Sequence, residues 1–377
     1  MQSLKGRLAR IKALGLSRAS SLGEKEALRS EPVDLGAARG WAAMPEPGTG
    51  NPTRPPLSGW EGLGEYVCAR RLETGLILPD RAGEGFRLPF FDPSPSCLSR
   101  FGPIAEFGDL SFFDLETTGL SGGVGTIAFL AALGAFEGKN FVLTQVFISD
   151  YPGEPAFLDR IADFFSIHPL VVSYNGASFD VPLYRTRRIM NGQELPRFEH
   201  LDLLRLARRL WKRRLGSCSL QALENEVLGF EREDDIPSAI IPRLWLEYSS
   251  DTSGKDSGWA SAETMAKIAE HNAKDATSLA SLFLKISALG EDPLGQAEAM
   301  RAHASSLSMM LLKGGRTNEA MALLSQAGME GDQDALLSLA MLKRKMGDSQ
   351  GFLEAVESLE PRSYRVCILK AKAAEHR

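Results

Sequence analysis

The chain of 377 residues is 44% hydrophobic and 24% charged, with a formal net charge of -5. That balance is typical of a globular protein with two or three domains. It excludes a wholly cationic nucleic-acid binder while leaving room for an enzyme with a local basic track. The longest strongly apolar stretch, TIAFLAALGAF at 126–136, falls far short of the roughly 20 residues that cross a bilayer, so no membrane span is expected.

Taken in chain order, the N-terminus MQSLKGRLARIKALGLSRASSL is basic and amphipathic, with no apolar h-region or small-residue cleavage pattern. It reads as a short basic helix rather than a secretory signal. Residues 36–59 are rich in Gly and Pro, so 1–59 is expected to be a basic segment and flexible linker. Residues 60–108 hold short apolar runs broken by Pro and Gly, and are expected to form a lead-in packed on the next domain. Strand-like runs follow at 109–116, 126–136 and 141–149, then a helical pattern at 154–167 and a β-branched run, LVVSYN, at 170–175. A strand reached through a helix is usually parallel to an earlier one. The expected domain over 109–290 is therefore α/β, a mixed sheet flanked by helices.

After Pro293 the composition turns to Ala, Leu and Met at helical spacing, broken by KGGR at 313–316 and KMGD at 345–348. This predicts two helix-turn-helix units and a final helix over 295–377, similar to tetratricopeptide repeats. Such repeats form concave surfaces, and a protein partner is a candidate ligand. The four cysteines, Cys68, Cys97, Cys218 and Cys367, are scattered without a CxxC pair. Neither a zinc site nor a disulfide framework is suggested, and a reducing, cytoplasmic compartment is expected.

Carboxylates stand where packing alone does not explain them. In FFDLETTGL at 112–120, Asp114 and Glu116 share one face of an apolar strand. In YNGASFD at 174–180, Asp180 opens a helical pattern, where it also serves as a helix cap. In HNAKD at 271–275, His271 and Asp275 lie one helical turn apart. Carboxylates gathered at one point raise their own pKa values and destabilise the fold unless cations neutralise them. With no cysteine in the set, oxygen ligation suits Mg²⁺ or Mn²⁺.

The ordered set DLETTGL, NGxxFD and HNxxD resembles the DEDD superfamily of 3′ to 5′ exonucleases with the ribonuclease H-like fold, and within it the YprB-like bacterial branch. HLDLLRLARR at 200–209, SLQALENEVLGFER at 219–232 and PRLWLEY at 242–248 add to the likeness. The resemblance implies two metal ions roughly 3.5 to 4 Å apart. Asp114 would bridge them, with Glu116 and Asp275 on one and Asp180 holding the other through water. It further implies that Thr117 and Thr118 hold the terminal nucleotide, that Asn175 orients the site, and that His271 is a general base or a hydrogen-bonding residue. His271 departs from the pattern: the superfamily places His five residues before the last Asp and Tyr four before, whereas here His takes the four-residue spacing.

Residues 202–214, DLLRLARRLWKRR, divide by sign, with Arg205, Arg208, Arg209, Lys212 and Arg213 opposite an apolar stripe. A phosphate backbone would bind such a face, and Arg185, Arg187 and Arg188 extend it. The expected function is a metal-dependent nuclease acting on DNA or RNA from a 3′ end. A structure-selective endonuclease of the same fold and a non-catalytic adaptor working through its repeats are the rivals.

Overall fold

The computed structural model describes residues 57–79, 85–91, 99–119, 125–233, 235–250, 262–361 and 364–375. Apart from 57–59, the expected basic segment and linker lie outside these residues, as does Cys97. The strands are β1 (Glu61–Gly62), β2 (Val67–Ile77), β3 (Phe86–Arg87), β4 (Ile104–Ala105), β5 (Leu110–Thr117), β6 (Ala128–Glu137), β7 (Asn140–Ile148), β8 (Leu170–Ser173) and β9 (Glu199–Asp202). Seven form one mixed sheet in the order β1-β2-β7-β6-β5-β8-β9, and β3 pairs with β4 apart from it. From β1 to β5 the neighbours are antiparallel, whereas β5, β8 and β9 run parallel.

The meander β5-β6-β7 and the parallel β8 follow the sequence expectation. The stretch read as a lead-in instead supplies two strands of the sheet. In β2 only the first three residues are buried, and exposure then alternates along the strand. Its charged side chains therefore masked a period-two pattern.

The central strands are apolar on both faces because helices cover both. Phe112 of β5 meets Phe141 and Phe283, with ring centroids 5.4 and 5.6 Å away. The next residue, Phe113, meets Phe165 at 5.1 Å on the opposite face. The principal helices of this part are α1 (Glu154–Ile167), α2 (Asp180–Met190), α3 (Leu203–Leu215), α4 (Ile241–Ser250) and the 30-residue α5 (Ala262–Glu291). Phe165 in α1 and Tyr184 in α2 close the Phe113 face, and α5 closes the other through Phe283.

After the one-turn helix Pro293–Gln296, five longer helices follow among the described residues: α6 (Ala304–Lys313), α7 (Thr317–Met329), α8 (Gln333–Lys345), α9 (Ser349–Glu357) and α10 (Tyr364–Glu375). The turns after α6, α7 and α8 each hold a glycine at positive φ, Gly315, Gly331 and Gly347. This is the left-handed conformation that ends a helix without a Cβ penalty. The sequence showed the first and third turns but not the one at Gly331.

These helices share a continuous core with the sheet. Trp211 of α3, fully buried, donates its indole N–H to the Met300 carbonyl at 2.7 Å. Arg213 and Arg214 pair with Asp334 and Glu298 at 2.6 and 3.2 Å.

Candidate active site

Asp114 and Glu116 lie on the Phe112 face of β5, each partly buried. Just past Glu116 the pairing slips: Glu116 faces Leu130 and Thr117 faces Ala128, leaving Phe129 as an extra residue in β6. A bulge of this kind ends regular pairing and turns the strand end. Phe129 is held there by stacking on Trp245, with centroids 5.1 Å apart. Opposite Asp114 stands Ala132, which packs with Leu143 and Ala276. Small residues on both sides let α5 approach the sheet closely. Its Asn272 then reaches Asp114, donating Nδ2–H to Oδ2 at 2.8 Å.

Asp180 arrives from the parallel half of the sheet. After β8 the chain turns at Asn175, a non-glycine residue at φ 65, a conformation asparagine tolerates. Asp202 fixes this turn by accepting from the backbone N–H groups of Asn175 and Ala177 at 2.8 and 3.2 Å. It also caps α3 by accepting from the Leu204 N–H at 3.0 Å. At Gly176 a Cβ would lie 2.2 Å from Ser173 Oγ and 3.0 Å from Asp180 Oδ2, so the turn can press against the carboxylate only without a side chain. The contact made by Asn175 is therefore through its backbone N–H, to Asp202.

The carboxylates hold their protons more tightly than exposed ones. Burial, then the fields of Asp275, Asp180 and Glu116, push Asp114 well up against the opposing hydrogen bond from Asn272. Burial, then Asp275, Asp180 and Asp235, do the same to Glu116. Asp180 is raised to about 7, chiefly by burial. Burial also raises Asp275, with His271 and Arg232 opposing it.

One ligand atom each from Glu116, His271 and Asp275 lie within 4.8 Å of one another. The His271 Nε2 atom is 3.5 Å from Asp275 Oδ2 and 3.9 Å from Glu116 Oε1. Its Nδ1 lies 2.8 Å from Asp235 Oδ1. A carboxylate can only accept, so Nδ1 carries the proton and Nε2 turns its lone pair toward the acids unless the ring is charged. Such an arrangement calls for positive charge between these atoms, and a hard divalent cation fits the donor set. Burial pushes Asp235 up, but the hydrogen bonds from His271 and Arg232 outweigh it and hold it low.

Arg232 is the fixed cation of the site. Its side chain is 3% exposed and contacts Glu224, Asp235 and Asp275. Glu224 is fully buried at the start of a π-helical turn, Glu224–Leu228. Beside this network lies a cavity of about 470 Å³, lined by His271, Asp275, Arg232, Asp235 and the Ser219–Gln221 stretch.

The structure therefore gathers Asp114, Glu116, Asp180, His271 and Asp275, and adds Arg232, Asp235, Asp202 and Asn272. Asn272 stood within the HNxxD motif and Asp202 began the basic segment. The acidic run around Arg232 carried no periodic signal. The hydroxyl of Thr117 donates to the Gly119 carbonyl at 2.9 Å, and Thr118 exchanges hydrogen bonds with the Ile127 backbone. The basic face divides. Arg205, Arg208 and Arg209 are exposed with no ion pair among the described residues, whereas Lys212 bonds the Gly216 carbonyl and Arg213 fastens Asp334. Arg187 and Arg188 are consumed by Glu154 and Asp159, and Arg185 lies 5.0 Å over the Phe198 ring.

Residues 111–287, which carry all four carboxylates and His271, match RNase_H_2, a family model of the RNase_H superfamily. This chain has a ribonuclease H-like domain. Its sequence is 29% identical over 282 residues to the uncharacterized protein YprB of Bacillus subtilis (strain 168), a match covering 71% of this chain and 65% of YprB. The chain thus spans a little under two thirds of the length of that relative. Among solved structures it is similar to the family B DNA polymerase of the hyperthermophilic archaeon Pyrobaculum calidifontis. There the identity is 13% and the TM-score 0.38, over 71% of this chain and 45% of the polymerase. Among the described residues of the ribonuclease H-like domain and the helices that follow it, no helix is long and apolar enough to cross a membrane.

Proposed function

We propose that the protein is a metal-dependent nuclease that hydrolyses nucleic-acid phosphodiesters from a 3′ end. The observation that carries this reading is the meeting of Glu116, His271 and Asp275 within 4.8 Å, beside Asp114 and Asp180, with His271 and Asp275 lining a cavity of about 470 Å³. Asp114, Glu116, Asp180 and Asp275 would hold two Mg²⁺ or Mn²⁺ ions. Such ions supply charge neutralisation at the phosphoryl oxygens and acidify the attacking water.

The chain's own groups then divide the remaining work. Asp235 holds the Nδ1 proton of His271, so that Nε2, 3.3 Å from the Ser238 hydroxyl, would accept a proton from water as a general base. Arg232 opposes protonation of Asp275 and holds it in place. Arg205, Arg208 and Arg209 would take the phosphates of the bound strand. The C-terminal helices, resembling tetratricopeptide repeats, are the candidate surface for a protein partner, and the cytoplasm is the proposed compartment.

The test is a nuclease assay on a 5′-labelled oligonucleotide with Mn²⁺, comparing wild type with Asp114→Asn. Stepwise shortening that Asp114→Asn abolishes is expected. Internal fragments would instead favour the endonuclease rival, and no cleavage together with no Mn²⁺ binding would sink the nuclease reading.

A further inference from the structure

Four residues lie in one row across the sheet: Arg70 of β2 faces Gln145 of β7, Gln145 faces Ala132 of β6, and Ala132 faces Asp114 of β5. The Ala132 methyl group cannot continue a polar row. Asn272 of α5 bridges it from above. The hydrogen bonds run from Arg70 Nε to Gln145 Oε1 at 2.7 Å, from Gln145 Nε2 to Asn272 Oδ1 at 2.8 Å, and from Asn272 Nδ2 to Asp114 Oδ2 at 2.8 Å. Gln145 and Asn272 are both fully buried.

The direction of this chain is fixed by chemistry at both ends. A guanidinium only donates, so the Gln145 atom facing it is the oxygen. The Gln145 amide nitrogen then points the other way, where the Ala269 carbonyl independently accepts from it at 2.8 Å. Asn272 must receive with its oxygen and present its NH2 to Asp114. Neither amide can flip without leaving buried donors or acceptors facing their own kind. One oxygen of Asp114 is thereby held, and the other is left for a cation.

We propose that Arg70, Gln145 and Asn272 are positioning residues that aim Asp114 at the cation site through this one-way chain of hydrogen bonds. The inference rests on the nuclease reading only in taking Asp114 as a metal ligand. It assigns a role to a strand that the sequence placed outside the domain.

The polarity itself supplies the test. Gln145→Glu keeps the shape and the bond to Arg70 but can no longer donate, so Asn272 must turn its NH2 to residue 145 and its oxygen to Asp114. Removing a residue that orients a metal ligand typically costs about 10–100-fold in metal affinity. That weakening is expected for Gln145→Glu in Mn²⁺ titration calorimetry on the full chain without nucleic acid.

Asn272→Ala serves as a second variant should Gln145→Glu fail to fold, because it removes the donor to Asp114 while Gln145 keeps its bonds to Arg70 and the Ala269 carbonyl. A several-fold weaker Mn²⁺ affinity is expected. Wild-type affinity in a folded Gln145→Glu protein, or in Asn272→Ala when Gln145→Glu does not fold, would overturn the relay alone. Absence of Mn²⁺ binding by the wild type would overturn the nuclease reading and the relay with it.

Discussion

His271 and Asp235 are joined by a 2.8 Å contact between Nδ1 and Oδ1, and both side chains line the cavity. The pair settles which imidazole nitrogen faces the acids. In Asp235→Asn, the new NH2 can donate to Nδ1 and fix the opposite tautomer. Nuclease turnover should fall about 10²–10⁴-fold, the usual worth of a general base. His271→Ala should fall as far, and the double variant little further. Additive losses in a single-turnover assay would show that the two residues do not act as a unit.

The raised carboxylates give the metal-free protein a pH signature. Asp180 has a folded pKa of about 7 against an ordinary value of 3.8, so the native state binds its proton the more tightly. Its stabilising share is complete below about pH 4 and is lost as pH rises through about 7. Asp180→Asn should therefore melt higher than wild type at pH 8 and alike at pH 4. Mn²⁺ should raise the wild-type melting temperature more at pH 8 than at pH 5. Scanning calorimetry across this range checks both signs.

Arg232 offers a stability test independent of catalysis. Removing it leaves Glu224 buried and uncompensated, since the two side chains are 3% and 0% exposed. Breaking a buried pair on one side costs about 3–5 kcal/mol. Arg232→Met should be destabilised by that much in urea unfolding, and adding Glu224→Gln should restore most of it. A cost below about 1 kcal/mol would mean that water reaches Glu224.

On α3, neighbouring cations should behave differently. If Arg205 and Arg209 bind phosphates, Arg205→Glu and Arg209→Glu will weaken single-strand binding and flatten its salt dependence by about 0.7 in log–log slope for each phosphate no longer bound. Arg213, engaged with Asp334, should leave that slope unchanged when replaced by Glu. Fluorescence anisotropy at several salt concentrations separates the two groups.

The apolar strands were legible in the sequence because runs such as FLAAL at 129–133 and LVVS at 170–173 are continuous and bounded by turn residues. So was the acidic pair of β5, since two like charges on one buried face need an explanation. The partners of those acids were not. Arg232 and Asp235 sit in a charged stretch that reads as surface, and only the fold turns it inward. Gln145 looks like any polar residue in a strand until its neighbours across the sheet are known. The sign pattern of α3 revealed a basic face but could not say that Arg213 and Arg214 at its C-terminal end are already paired with Asp334 and Glu298.

Asn272 and Asp114 touch across 158 positions of sequence. Residues this far apart meet only after long loops have closed, late in the making of a domain. A nascent chain still on the ribosome has its acidic strand long before it has the helix that completes the cluster. Until α5 has emerged, a cluster built in this way is incomplete, and Asp114 has neither Asn272 to hold it nor Asp275 beside it.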